Sequence, residues 1–145
     1  MFTSMLRTSD DIGAFIARII LGIVILPHGL QKLLGLFGGA GFSDTVEFFV
    51  SSGLPAFVAI LIIIGESFGA LGLILGFLSR IAAFGITIIM LGAIVTVHLQ
   101  NGFFMNWGGS GAGEGFEYHL LAVGLGLIVL IKGGGIWSVD RAISK

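Results

Sequence analysis

The stretch AFVAILIIIGESFGALGLILGFLSRIAAFGITIIMLGAIVTVHL, residues 56–99, decides the fold of this chain. It contains two apolar runs, and only Ser79 and Arg80 separate them. Each run is long enough to cross a bilayer as a helix, which takes about 20 residues. Because two polar residues can do no more than reverse the chain at the membrane surface, the two helices are predicted to form an antiparallel hairpin.

Apolar runs of this kind occur four times, at residues 12–34, 56–78, 81–99 and about 116–131. Hydrophobic residues make up 56% of the chain and charged residues only 10%, against about 25% charged in a typical soluble domain. Backbone groups inside lipid need partners within their own segment, so each run is predicted to be helical. We therefore predict an all-α fold, an integral membrane four-helix bundle that forms a single membrane domain over residues 1–145.

The positions of lysine and arginine predict the orientation, because cytoplasmic loops carry an excess of these residues. With the N-terminus inside, the cations on the cytoplasmic side are Arg7, Arg80, Lys132, Arg141 and Lys145. Lys32 alone lies near the outer surface. Both termini are thus predicted to be cytoplasmic, with outer loops at residues 35–55 and 100–115 and a cytoplasmic tail at residues 132–145.

The first outer loop contains FSDTVEFFVSSG, residues 42–53, in which apolar residues recur at helical spacing. Asp44 stands three residues before Glu47, which is the spacing of a reciprocal helix cap. These features predict a short helix that lies in the outer membrane interface.

Gly65, Gly69, Gly72 and Gly76 form a stripe of small residues along the second span. Such a stripe lets two helix backbones approach closely. Two interpretations stay open, packing inside the bundle and dimerisation, and the first is favoured.

Two ionisable residues lie well inside the spans and carry the most weight, because such residues cost about 2.5–3.5 kcal/mol at a helix centre and are candidate functional groups. Arg18 lies in the inner half of the first span, and Glu66 lies near the middle of the second. The arginine side chain is long enough to bridge this difference in depth. One interpretation is a buried ion pair that fixes the helix register, and the other is the charged floor of a ligand cavity.

Antiparallel connections bring the outer ends of the helices into one layer, where further polar residues are expected to meet. Besides Arg18 and Glu66, the candidates for ligand binding are His28, Gln31, Lys32, His98, Glu117 and Tyr118. Alternatively, Glu117 is a helix-end charge stabilised by the macrodipole and Tyr118 is an interface anchor. Glu117 and His119 lie about 200° apart around the helix, so both cannot face the bundle centre. We expect His28 and Glu117 to line a cavity, in preference to His119.

The histidines His28, His98 and His119 have suitable chemistry for a metal or haem, but no close HxxxH spacing supports such a site. The chain has no cysteine, which excludes disulfides and a thiol relay of its own. We therefore assign no metal and no catalytic residue. A quinone or similar ring needs only hydrogen-bond donors and apolar walls, and this layer supplies both.

Six segments together resemble the DoxX family of small four-helix membrane proteins. In chain order they are RIILGIVILPHGLQKLLGLFGGAGF, GLP, IGESFGALGLILGFLSRIAA, VHLQNGFF, FEYHLLA and WSVDRAI. The resemblance implies a multi-pass protein of a bacterial or archaeal cytoplasmic membrane. It also implies association with membrane oxidoreductase systems, although more distant relatives act as cargo receptors or assembly chaperones.

We accordingly predict a membrane subunit of an oxidoreductase system that binds a quinone-like or other small redox-active molecule in an outer polar pocket. Whether the subunit is itself an enzyme stays open. The alternative is a non-enzymatic membrane protein that assembles or recruits other proteins. The expected partners are the lipid bilayer, an oxidoreductase protein and further copies of the chain, whereas the net charge of -1 gives no reason to expect nucleic acid.

Overall fold

The computed structural model describes residues 6–144, and this part of the chain is all-α with six helices. The helices are α1 (Ile12–Leu34), α2 (Phe42–Ser51), α3 (Ala56–Leu75), α4 (Ser79–Asn101), α5 (Glu117–Lys132) and α6 (Val139–Ile143). A short 3-10 turn, Leu36–Gly38, follows α1.

Within residues 6–144, three helices are long and apolar enough to cross a membrane, namely α1, α3 and α4. Helix α1 has the predicted bounds, whereas α3 ends at Leu75, three residues before the predicted end. It ends there because Gly76 adopts a left-handed conformation with φ of 70°, which terminates helices. Helix α5 has 16 residues and is thus about 24 Å long.

Two of the long helices widen into π turns, at Gly65–Gly69 in α3 and at Ile94–His98 in α4. Each π turn contains an ionisable residue singled out by the sequence, Glu66 in the first and His98 in the second. Turns of this type interrupt the regular helical ladder and are frequent at functional sites.

The turn between α3 and α4 is stabilised from the far end of the chain. The buried carboxylate of Asp140 in α6 accepts hydrogen bonds from the backbone N–H groups of Leu78 (2.7 Å) and Ser79 (2.8 Å). N–H groups at a helix N-terminus have no partner within the helix and attract negative charge. The C-terminal segment is thereby attached to the hairpin.

The core lies between the long helices, with α1 packed against α3 and α5, and α4 packed against α5 and α3. Their facing sides bury Leu21, Ile86 and Val129. Large apolar side chains on the other sides stay exposed, including Phe57 (66% exposed) and Ile131 (72% exposed). So much exposed apolar surface is typical of a protein that contacts lipid.

The glycine stripe of α3 faces α4. A Cβ atom added at Gly65 would lie 2.7 Å from the side chain of Ile89, and one at Gly69 would lie 3.7 Å from that of Ile86. At these positions the interpretation of the stripe as packing within the chain is confirmed.

The short helix predicted in the first loop is present as α2, but its predicted cap is wrong. Gly41 precedes the helix, no side chain caps it, and Asp44 lies inside its first turn. Asp44 there still interacts favourably with the helix dipole.

Candidate functional site

Arg18 is almost fully buried, and backbone carbonyl groups surround its guanidinium group. The guanidinium nitrogens donate hydrogen bonds of 2.6–3.5 Å to the carbonyl oxygens of Leu73, Ile74, Gly134, Ile136 and Trp137. The carbonyls of the last turn of a helix such as α3 lack partners within the helix. A planar guanidinium group, with N–H donors on several sides, satisfies such a set of acceptors.

The interpretation of Arg18 and Glu66 as an ion pair is therefore wrong. Arg18 contacts the C-terminal end of α3 and joins it to the C-terminal segment, whereas Glu66 lies about two turns earlier in α3 and pairs with a different cation. Their partners lie toward opposite ends of the molecule. We call these ends the basic end, where α1 begins and α5 ends, and the loop end, where α1 ends and α5 begins.

At the loop end, Glu66 pairs with Lys32. The Lys32 Nζ atom lies 2.6 Å from Glu66 Oε2 and 3.5 Å from the carbonyl oxygen of His28. The Glu66 side chain is only 6% exposed and that of Lys32 is 24% exposed. The carboxylate is thus buried beneath a lysine that reaches the surface, and the ammonium group can donate to a further acceptor.

Gly29 makes this pairing sterically possible. A Cβ atom at this position would lie 2.5 Å from the carbonyl carbon of Glu66 and 2.5 Å from the amide nitrogen of Ser67. Only glycine therefore allows α1 to approach the π turn of α3 this closely. The approach places Lys32, one turn further along α1, within reach of Glu66.

Four aromatic side chains continue from this pair across the loop end. The ring centroids of His28 and Tyr118 are 6.3 Å apart, those of Tyr118 and His119 are 5.3 Å apart, and those of His119 and His98 are 4.0 Å apart. His28 is exposed, His98 is half-buried and His119 is 7% exposed. We call the resulting set the polar layer: His28, Lys32, Glu66, His98, Tyr118 and His119.

The structure reverses the expected order of Glu117 and His119. The Glu117 carboxylate accepts a hydrogen bond from the backbone N–H of Met105 at 2.8 Å, so it organises the loop before α5. His119 lies on the buried side of α5. The two residues are separated around the helix as predicted, and it is His119 that shares the buried face of α5 with Ala122, Gly126 and Val129.

Gln31 lies beside the polar layer and not within it. Its side-chain amide donates to the carbonyl oxygen of Phe37 at 3.3 Å. Together with Lys32 it borders a groove of ≈ 280 Å³ between α1 and α2, whose other walls include Thr45, Phe48 and Phe49. The groove therefore combines aromatic walls with one lysine that also contacts a buried carboxylate.

The three histidines do not converge on one point. His98 and His119 are neighbours, while His28 lies on the other side of Tyr118. Across residues 6–144, no group of three or more histidine, aspartate or glutamate side chains is placed to hold a metal ion.

Some polar residues of the interior were missed by the sequence reasoning. Ser67 and Thr87 are buried and their hydroxyl groups have no hydrogen-bond partner within residues 6–144. Serine and threonine are common in membrane helices, so they give no distinct signal. Asp140 was not singled out either, although it belongs to WSVDRAI, one of the segments that carry the family resemblance.

At the basic end, charged side chains connect the terminal segments to the helices. Lys132 pairs with Asp11 at 2.9 Å, and Arg141 pairs with Asp10 at 2.6 Å. The hydrogen bond from Lys132 holds the pKa of the Asp11 carboxyl below its ordinary value of 3.8. Arg80 donates to the carbonyl groups of α5 near its C-terminus.

The apolar helices and the exposed apolar surface define a multi-pass membrane protein. Comparison with known proteins shows which class of membrane protein it is. The chain belongs to the DoxX family, whose model matches residues 13–99, from the start of α1 into the last turns of α4.

Several bacterial proteins are similar over nearly the whole chain. The protein named "Putative oxidoreductase CatD" of Bacillus subtilis is 34% identical over 140 residues, covering 97% of this chain and 93% of its own length. "Inner membrane protein YqjF" of Escherichia coli is 28% identical, covering 97% of this chain and 98% of its own length. "Uncharacterized membrane protein Rv3486" of Mycobacterium tuberculosis is 35% identical, covering 88% of this chain and 79% of its own length. No solved structure matches the chain.

Proposed function

We propose that this chain is a membrane subunit of an oxidoreductase system and binds a quinone-like or other small redox-active ring at the loop end. The observation that carries the proposal is the Lys32–Glu66 pair, whose Lys32 lines the groove between α1 and α2. The name of the Bacillus subtilis relative supports the oxidoreductase class.

The groove suits the head of an amphipathic molecule. Its volume of ≈ 280 Å³ lies just below the range of about 300–1,000 Å³ that is usual for ligand pockets, and because the groove is open on one side, a single ring bound there would remain partly exposed. Phe48 and Phe49 provide aromatic surfaces, and aromatic rings pack well against each other in offset or edge-to-face arrangements. An attached apolar tail would extend into the surrounding lipid.

The polar groups around the groove provide the hydrogen bonds that a quinone requires. The Lys32 ammonium group donates to a ring oxygen while Glu66 keeps it in place. Reduction of a quinone by two electrons also consumes two protons, and an imidazole such as His28 is suited to exchange protons near neutral pH. Since the chain has no cysteine, we propose that the electrons come from a partner oxidoreductase.

This function is tested by a reduced-minus-oxidised ultraviolet spectrum of the protein purified in lipid nanodiscs without prior detergent washing. We expect a quinone-to-quinol difference, because the ligand is amphipathic and purifies with the lipid. Empty nanodiscs prepared from the same membranes provide the control for free quinone. A spectrum equal to that of the control would contradict the proposal and favour the assembly or recruitment function.

We further propose that α5 is a fourth membrane span, that the chain forms one four-helix domain, and that both termini are cytoplasmic. The packing of α5 against α1 and α4 supports the fourth span. The cations Arg18, Arg80, Lys132 and Arg141 at the basic end support the orientation, because positive charge favours the cytoplasmic side.

The orientation can be measured by cysteine labelling, because the natural chain has no cysteine. In intact cells we expect an impermeant thiol reagent to label Ser110→Cys, in the loop before α5, and to leave Ser144→Cys unlabelled until the cells are opened. Labelling of Ser144→Cys in intact cells would contradict a cytoplasmic C-terminus.

A further inference from the structure

Several buried polar atoms near the polar layer have no hydrogen-bond partner within residues 6–144. They include the Tyr118 hydroxyl, His119 Nδ1 and the Ser67 hydroxyl. His119 is 93% buried, since only 7% of it is exposed. A buried polar atom without a partner costs about 1–3 kcal/mol, and such atoms usually bind internal water.

His98 connects this group of atoms to the surface. Its Nδ1 lies 2.8 Å from the carbonyl oxygen of Glu114, which can only accept, so Nδ1 carries the proton. The lone pair of neutral His98 is therefore on Nε2, and its ring lies 4.0 Å from that of His119. Glu114 is exposed in the loop before α5, so His98 stands between a buried imidazole and the solvent side.

On its inner side, this group of buried polar atoms approaches the Lys32–Glu66 ion pair. Tyr118 packs edge-to-face on His119, and on its other side its ring lies 6.3 Å from that of His28, whose carbonyl oxygen lies 3.5 Å from Lys32 Nζ. Beyond Glu66, toward the basic end, the interior is filled by apolar side chains such as Leu21, Ile86 and Val129. The buried Thr87 hydroxyl lies among these apolar side chains and has no hydrogen-bond partner within residues 6–144, so polar groups form a series from Glu66 only toward the loop end.

We infer that Tyr118, His119 and His98, completed by buried water, form a one-sided route for protons between the Lys32–Glu66 pair and the loop-end surface. This inference rests on the proposed function, since it names how the bound ring would exchange its protons with that side. Each step moves one proton between oxygen or nitrogen atoms, and no electron is transferred along the route. His98 accepts and releases the proton at Nε2, because its Nδ1 proton is held by a carbonyl oxygen that cannot take it up. The other ionisable groups facing it are His28, Lys32, Glu114 and Glu117.

The route predicts rapid exchange of the Tyr118 hydroxyl proton with bulk water. Tyr118 is the only tyrosine in the chain, so nuclear magnetic resonance with labelled tyrosine reports on this site alone. We expect His98→Phe to slow the exchange by about 100-fold, because general acid–base catalysis by an imidazole typically contributes 100-fold or more. His98→Asn, which keeps a polar side chain but cannot titrate, is the second variant and should slow it as well.

The matched control is Thr96→Val, which removes a polar side chain of α4 that bonds the carbonyl of Gly92 in its own helix and lies outside the polar layer, and it should leave the exchange rate within about threefold of the wild-type rate. The inference is overturned if exchange is already slow in the wild type, if neither His98 variant slows it, or if Thr96→Val slows it as much as they do. Since no ligand is present in this experiment, its result is independent of binding. If the wild-type protein does not bind decylubiquinone but its Tyr118 hydroxyl exchanges rapidly, the proposed function is rejected and the proton route is kept.

Discussion

Replacing Arg18 by methionine is expected to lower the free energy of unfolding by about 3 kcal/mol or more. The substitution leaves the buried carbonyl groups at the end of α3 and in the C-terminal segment without their donor. Each buried acceptor without a partner costs about 1–3 kcal/mol, and water can reach some of them after local rearrangement. Arg18→Lys should recover part of the loss, since an ammonium group donates fewer hydrogen bonds than a guanidinium group.

The measurement is a denaturant titration in detergent micelles, followed by circular dichroism. Arg80→Met is the matched control, because Arg80 also donates to carbonyl groups near a helix C-terminus but is half-exposed. We expect this control to lose about 1 kcal/mol, as is typical of an accessible hydrogen bond. Equal losses in the two variants would show that Arg18 is not the main attachment of the C-terminal segment.

Replacing Glu66 by glutamine is expected to weaken binding of decylubiquinone by about 10- to 100-fold. Without the carboxylate, Lys32 is no longer held at the groove, and a hydrogen bond from a charged group is worth about 1.5–3 kcal/mol. Binding is measured by equilibrium titration of the protein in nanodiscs. Unchanged affinity would remove Glu66 from the site.

Two further variants separate binding from stability in this test. Glu66→Gln alone leaves a partly buried ammonium group without its counter-ion, which is itself destabilising. The double variant Lys32→Met/Glu66→Gln removes both charges, so it should restore stability without restoring affinity. Lys132→Met removes a lysine from an ion pair at the basic end and should bind as the wild type does.

The parts of the fold that follow from apolar runs were predictable from the sequence. The bounds of α1, the position of the α3–α4 hairpin and the presence of α2 agree with the structure. The π turns at Gly65–Gly69 and Ile94–His98 were not predictable, because they depend on how neighbouring helices approach.

The pairing of charges was harder to predict than their presence. Arg18 and Glu66 were singled out as ionisable residues inside the spans, but the partners predicted for them were wrong. The partners of Arg18 are backbone carbonyl groups, which every residue carries and which leave no mark in the sequence. Lys32 pairs with Glu66 only because Gly29 lets the two helices approach, and this contact is a property of the packed structure.

The orientation of α5 shows a similar limit. Helical periodicity separates Glu117 from His119, but it does not indicate which of them faces the interior. In the structure His119 shares the buried face of α5 with Ala122, Gly126 and Val129, while Glu117 binds the backbone N–H of Met105 in the glycine-rich loop. A carboxylate at the first position of a helix also has a favourable role there without any ligand.

The most direct test of ligand binding at the loop end is photo-crosslinking with an azido-quinone, mapped by mass spectrometry. Ligand binding at the loop end predicts labelling of the groove between α1 and α2, around Gln31 and Phe48, and loss of that labelling when decylubiquinone is added in excess. A second groove, of ≈ 240 Å³, lies on α4 and is lined by residues that include Val95 and Gln100. Labelling confined to that second groove, or labelling that excess decylubiquinone does not reduce, would contradict ligand binding in the groove between α1 and α2.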